Sequence, residues 1–160
     1  MVVYSSKYGA TKKAAELLRE QLLKDGAERV ELINLKTERP QDLSGFDTVA
    51  VGSSVYIGSI NKKVKRFLEE NKGELLRKKL GLFLCAGAEK QEDLEKIMSD
   101  NFNLELRSAA LVTGYFGHAY YVDRMGLFDK MIIKKVGNVT ENRENLDQKA
   151  IEAFAMNLTK

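Results

Sequence analysis

Two serines, a glycine and a threonine fall within seven residues near the start of the chain, in "SSKYGAT" (Ser5–Thr11). They stand between the apolar Val2-Val3-Tyr4 and a run in which Ala14, Ala15, Leu18 and Leu22 recur at helical spacing. A helix N-terminus presents unpaired backbone N–H groups and a partial positive charge, so a strand-to-helix turn of this kind suits a phosphate. Ser5, Ser6 and Thr11 add hydroxyl donors, Gly9 lets the backbone curl around an anion, and Lys7 and Lys12 add charge. The same residues also make a plain helix cap followed by a lysine-rich solvated face. The turn is neither a Walker loop nor a GxGxxG fingerprint, since it lacks both spacings. Small or polar clusters recur in "VGSSVYIG" (51–58) and "CAGAE" (85–89).

The elements that must position these clusters follow from periodicity. Strands are expected at 2–4, 30–35, 46–54, 79–88 and 107–114, with Pro40 in a polar loop. Helical spacing links Ile60, Val64, Phe67 and Leu68, then Leu94, Ile97 and Met98, and finally Ala150, Ile151, Phe154 and Leu158. Strands that are apolar throughout, each followed by an amphipathic helix, form a parallel sheet covered on both faces. The expected fold is therefore α/β, one doubly wound domain over 1–160 with a five-stranded parallel sheet. Such sheets bind ligands beyond the carboxyl ends of their strands, where all three clusters fall.

Composition narrows the function. Apolar residues make up 44% and charged residues 31%, which is an ordinary globular balance. A net charge of +3, with no basic stripe interleaved with aromatics, gives no sign of nucleic-acid binding. His118 and Cys85 each stand alone of their type, which argues against a His/Cys metal cluster. Cys85 reads as a small core residue rather than a catalytic thiol, and a cytoplasmic location is expected. A phosphorylation-controlled receiver would need paired acids after the first strand, where this chain has Tyr4-Ser5-Ser6-Lys7.

"SKYGAT" (6–11) resembles the phosphate loop of flavodoxins, S/T-x-T-G-x-T, with Ser6, Gly9 and Thr11 matching and Tyr8 departing from it. The resemblance implies a flavodoxin-like three-layer sandwich with strand order 2-1-3-4-5. It also implies flavin mononucleotide (FMN) as cofactor, held by Ser6, Lys7, Tyr8, Gly9, Ala10 and Thr11. "VGSSVYIG" is similar to the second flavin loop. There Ser54, Val55, Tyr56, Ile57 and Gly58 would meet the flavin and Tyr56 would stack on its ring. Ile57 stands where flavodoxins often carry glycine. Ala86 and Gly87 of the third cluster would approach the flavin edge.

Residues 115–140 break the regular rhythm with dense aromatics and lysines. From Asp123, the residues Leu127, Phe128, Met131, Ile132 and Val136 share a helical face, expected to pack on the sheet. With Arg124, Lys130, Lys134 and Lys135 beside it, the stretch 123–136 also suits an anionic membrane surface or an acidic partner. This segment resembles the corresponding region of the menaquinone-dependent protoporphyrinogen dehydrogenases, a flavodoxin-like branch, through Tyr121-Val122-Asp123-Arg124 and the run 128–134. That resemblance implies electron passage from a porphyrinogen through FMN to a quinone. Tyr115, Tyr120 and Tyr121 would then form a flat apolar surface, with Arg124, Lys130 and Lys134 attracting substrate carboxylates. It would also place the protein at the inner face of the cell membrane. The alternative is a flavodoxin-type electron carrier serving a redox-protein partner. Carrier flavodoxins are typically strongly acidic, and this chain is not.

Overall fold

A computed structural model describes residues 1–39, 42–88 and 90–160, apart from the side chain of Val136. Pro40 and Glu89, placed in loops by sequence, lie outside the described residues. The first half comprises β1 (Val2–Ser5), α1 (Ala10–Lys24), β2 (Leu32–Asn34), β3 (Thr48–Tyr56), β4 (Ser59–Ile60), α2 (Lys62–Glu70) and α3 (Lys72–Leu75). The second comprises β5 (Lys79–Cys85), α4 (Gln91–Asn101), α5 (Leu104–Ala109), β6 (Val112–Tyr115), β7 (Gly117–Tyr120), a 3-10 turn (Val122–Arg124), α6 (Leu127–Gly137), β8 (Arg143–Leu146) and α7 (Gln148–Thr159). Parallel ladders join the main strands in the order β2-β1-β3-β5-β6. Counting the parallel strands alone, this is the expected 2-1-3-4-5.

Strand alternation sorts the core into two layers. Val3, Val49, Val51, Leu80, Leu82 and Leu84 meet Val64 and Phe67 of α2, Met98 of α4 and Leu106 of α5. Val2, Tyr4, Ala50, Phe83 and Cys85 meet Leu18 and Leu22 of α1 and Ile151, Phe154 and Leu158 of α7. On the second face, Phe83 stacks on Phe116 at 4.7 Å and both meet Phe154 edge-on, at 6.0 and 5.1 Å. Gly52, Gly81 and Gly114 make room for this cluster, because a β-carbon at any of them would collide with one of its rings.

Two expectations require correction. Arg107–Ala109 end α5 rather than start a strand, and β6 begins only at Val112. Asn103 caps α5 by accepting from the Glu105 N–H at 2.8 Å, and the buried Leu106 gives the short helix its anchor. In α6, Leu127, Phe128 and Met131 are 87, 68 and 60% exposed, so this apolar face does not pack on the sheet. The helix lies beyond the strand ends, where both sheet faces are already covered. The side turned inward instead carries Asp129 and Ile133, with Met125 four residues before Asp129 just ahead of the helix.

The irregular stretch is an ordered excursion. β7 and β8 pair antiparallel, with the 3-10 turn and α6 between them. Backbone bonds root it at the carboxyl end of the sheet: Phe116 N–H donates to Leu84 O, and Ala86 N–H donates to Gly117 O, both at 2.9 Å. α6 is thereby carried over the ends of β1 and β3, on either side of the point where the strand order reverses.

Candidate functional site

The turn after β1 is built as an open helix start. Gly9 is the N-cap of α1 at φ +112°, which glycine adopts without strain, and no side chain caps the first turn. Ser6 Oγ instead accepts from the Gly9 N–H at 3.1 Å, which tightens the loop. The Ser5 and Thr11 hydroxyls are buried without a nitrogen or oxygen partner among the described residues, Thr11 having only the Cys85 sulfur beside it. Burial pushes the Cys85 thiol up to about 12, and the neighbouring Thr11 hydroxyl only tempers that. Buried hydroxyls left unsatisfied carry a desolvation cost, so their persistence beside an uncapped helix start points to an absent acceptor.

Above the turn, Asp129 of α6 gathers donors from two loops. Lys7 Nζ donates to its Oδ2 at 2.7 Å, the Tyr8 hydroxyl donates to the same oxygen, and the Tyr56 hydroxyl donates to Oδ1 at 2.8 Å. Lys7 Nζ also lies 5.0 and 5.1 Å from the Tyr8 and Tyr56 rings. The Lys7 ammonium and the tyrosine hydroxyls hold the Asp129 carboxyl at about 2, well below its ordinary range. Asp129 hydrogen bonding in turn raises Lys7 and, after burial, Tyr8.

A cavity of about 100 Å³ beneath α6 is lined by Ser6, Lys7, Tyr8, Ala10, Thr11, Ser54, Val55 and Tyr56 from the first two clusters. Ala119, Tyr120, Met125, Asp129 and Ile133 close it. Cofactor sites usually run to about 300–1,000 Å³, so this cavity is smaller than most.

Other expected site residues lie elsewhere. Ile57 and Gly58 form the β3–β4 hairpin turn, at φ +49° and +70°, and are not on the cavity wall. Ala86 lines a separate groove of about 1070 Å³ along β6 and α7, as does Tyr115. Gly87 lies beneath the Tyr120 hydroxyl. The three tyrosines therefore form no common surface: Tyr115 faces the groove, Tyr120 the cavity, and Tyr121 donates its hydroxyl to Glu144 Oε2 at 2.8 Å. Lys130, Lys134 and Arg124 are not on the cavity wall, but Arg124 stands beside Gly9, where a β-carbon would come within 2.7 Å of its Nη1. Sequence reasoning missed Asp129. Its signal was a lone acid at helical spacing from Met125 and Ile133.

The Flavodoxin domain family matches residues 1–147. The chain belongs to the flavodoxin family. Flavodoxin homologues of this chain bind FMN. A flavodoxin of Aquifex aeolicus (strain VF5) is 33% identical over 86 residues, covering 54% of this chain and 46% of that protein. A flavodoxin of Clostridium saccharobutylicum is 29% identical over 80 residues, half of each chain. These matches span about half the length of the curated relatives. The reduced flavodoxin of Megasphaera elsdenii superposes with a TM-score of 0.56 at 18% identity, over 98% of this chain and 99% of that one. At that identity the likeness shows the shared fold. The buried Thr11 hydroxyl and the uncapped start of α1 fit the phosphate end of FMN. No cluster of metal-ligating residues occurs among the described residues, and no helix among them is long and apolar enough to cross a membrane.

Proposed function

We propose that this flavodoxin-family chain is an FMN-dependent oxidoreductase that takes electrons from a porphyrinogen-like donor and passes them to a quinone. FMN, when bound, supplies the two-electron redox chemistry. The protein's part is placement. The α1 N-terminus, Ser6 and Thr11 hold the phosphate, Lys7, Tyr8 and Ala10 complete the loop, and Ser54, Val55 and Tyr56 flank the ring. The supporting observation for a substrate beyond a protein carrier is α6. Its Leu127, Phe128 and Met131 are exposed beside the cavity, with Lys130, Lys134 and Lys135 on the same helix. An apolar surface with cations at its border suits a flat, apolar, carboxylated donor or a quinone held at an anionic membrane surface. On this reading 123–136 makes the peripheral membrane contact.

The test is anaerobic. FMN-saturated protein is mixed with protoporphyrinogen and a menaquinone analogue, and porphyrin fluorescence is followed. Fluorescence that rises faster than with free FMN, and only with quinone present, is the expected result. No acceleration from protein that retains FMN would turn the reading to an electron carrier. Failure to retain FMN would return the first turn to a helix cap.

A further inference from the structure

We propose that Arg124 completes the phosphate site from outside the first loop and makes the protein select phosphorylated over unphosphorylated flavin. The inference rests on the FMN reading and deepens it. It reassigns a residue that sequence reasoning placed among substrate contacts.

The geometry is specific. Arg124 closes the 3-10 turn (Val122–Arg124) at the start of the excursion, more than a hundred residues from the loop it meets. Its Nη1 donates to the Tyr8 carbonyl at 3.4 Å and is the atom nearest to where a Gly9 side chain would stand. The guanidinium lies 4.4 Å from the centre of the Tyr121 ring. Tyr121 is fixed in turn by its bond to Glu144 on β8, so the stack is anchored in the β7–β8 pair rather than free to swing. Stacking uses the guanidinium face and leaves N–H groups at its edge available to an anion.

Charge accounting at the loop leaves two cations without a carboxylate partner, Arg124 and Lys36, whose Nζ donates to the Lys7 carbonyl at 3.1 Å, and of these only Arg124 carries a guanidinium fork. Lys7, the nearest cation in sequence, is committed to Asp129 at 2.7 Å. Lys12 lies 3.8 Å from Glu16. Arg124 has no carboxylate partner among the described residues. A phosphate monoester carries close to two negative charges above pH 7. The uncapped α1 start and the buried Thr11 hydroxyl supply dipoles, and Arg124 supplies the formal charge. An unphosphorylated flavin would make none of these contacts.

The experiment compares FMN with riboflavin. Dissociation constants for both are measured by flavin fluorescence quenching on the full chain, as wild type, Arg124→Ala and Arg124→Lys, across a salt series. Arg124→Ala is expected to weaken FMN roughly ten- to hundred-fold, the range for a lost charge-assisted hydrogen bond, while leaving riboflavin within about two-fold. Arg124→Lys is expected to fall between, since it keeps the charge and loses the fork. The salt dependence of FMN binding should be shallower in Arg124→Ala. Inorganic phosphate should raise the melting temperature of the flavin-free wild type and not that of Arg124→Ala. Equal loss of FMN and riboflavin would overturn the proposal, because Arg124 would then only be shaping the loop. So would an unchanged preference for FMN. A wild type that binds neither flavin would instead overturn the cofactor assignment beneath it, which the wild-type curves alone reveal.

Discussion

Ile57 has the least favourable backbone of any described side-chain-bearing residue near the site. Its φ of +49° and that of Gly58 at +70° are the pair of positive values a tight two-residue hairpin turn requires between Tyr56 and Ser59. A β-branched residue pays for that conformation, and with 77% of its surface exposed Ile57 regains little by burial. Ile57→Gly is therefore expected to stabilise the protein by about 0.5 to 1 kcal/mol, since relief of left-handed strain outweighs the entropy glycine adds to the unfolded chain. Urea denaturation checks this, and a lower midpoint in Ile57→Gly would contradict it. At this scale the sequence was readable where a residue's role is local. Gly9 caps its own helix and the Ser6 hydroxyl accepts from the Gly9 N–H, so the turn itself is readable from local spacing. Asp129 and Arg124 act on a loop far away in sequence, and no local pattern discloses such a partner.

α6 works as a cover held by one ionic contact. Because Lys7 and the two tyrosine hydroxyls hold the Asp129 carboxyl at about 2, below the ordinary aspartate value near 3.9, its contribution belongs to the charged form. It is fully present above about pH 4 and is lost as the pH falls toward 2. Asp129→Asn keeps the shape and removes the charge. Stopped-flow mixing with FMN at neutral pH is expected to show uptake several-fold faster in this variant, because α6 is held less firmly over the cavity. Between about pH 4 and 2, the wild-type melting temperature should drop more steeply than that of Asp129→Asn. Equal uptake rates would mean that α6 does not limit entry. The helix itself was legible from its apolar period, but its orientation was not. Its exposed Leu127, Phe128 and Met131 read like any core stripe, whereas the side held inward is the one carrying Asp129, with its three donors, and Ile133.

Across the whole molecule, the parallel sheet was legible because its central strands are buried on both faces and helices follow them, while its order came with the family resemblance. The additions were less so. β4 has two residues, and β7 and β8 lie apart in sequence, so neither pairing leaves a periodic trace. What joins the layers on the α1–α7 side is the Phe83–Phe116–Phe154 cluster, seated over three glycines. Phe154→Ala is expected to cost about 3 to 5 kcal/mol, as large aromatic deletions do in a core that cannot collapse over flat glycine-bearing strands. Guanidinium denaturation with an unchanged slope would check it, and a loss under 1 kcal/mol would show that the layer repacks. Cys85 ends β5 beside this layer, 4% exposed, with its thiol pushed up to about 12. It is the chain's one cysteine, so a thiol reagent has a single target, and that target answers only when the strand end parts from its neighbours. Its labelling rate at pH 8 should lie far below that of a free thiol and level off as reagent is raised, with the plateau equal to the rate of opening. Labelling as fast as a free thiol would place Cys85 at the surface. The protein thus carries its own stopwatch beneath the first loop, readable by absorbance with a single thiol reagent.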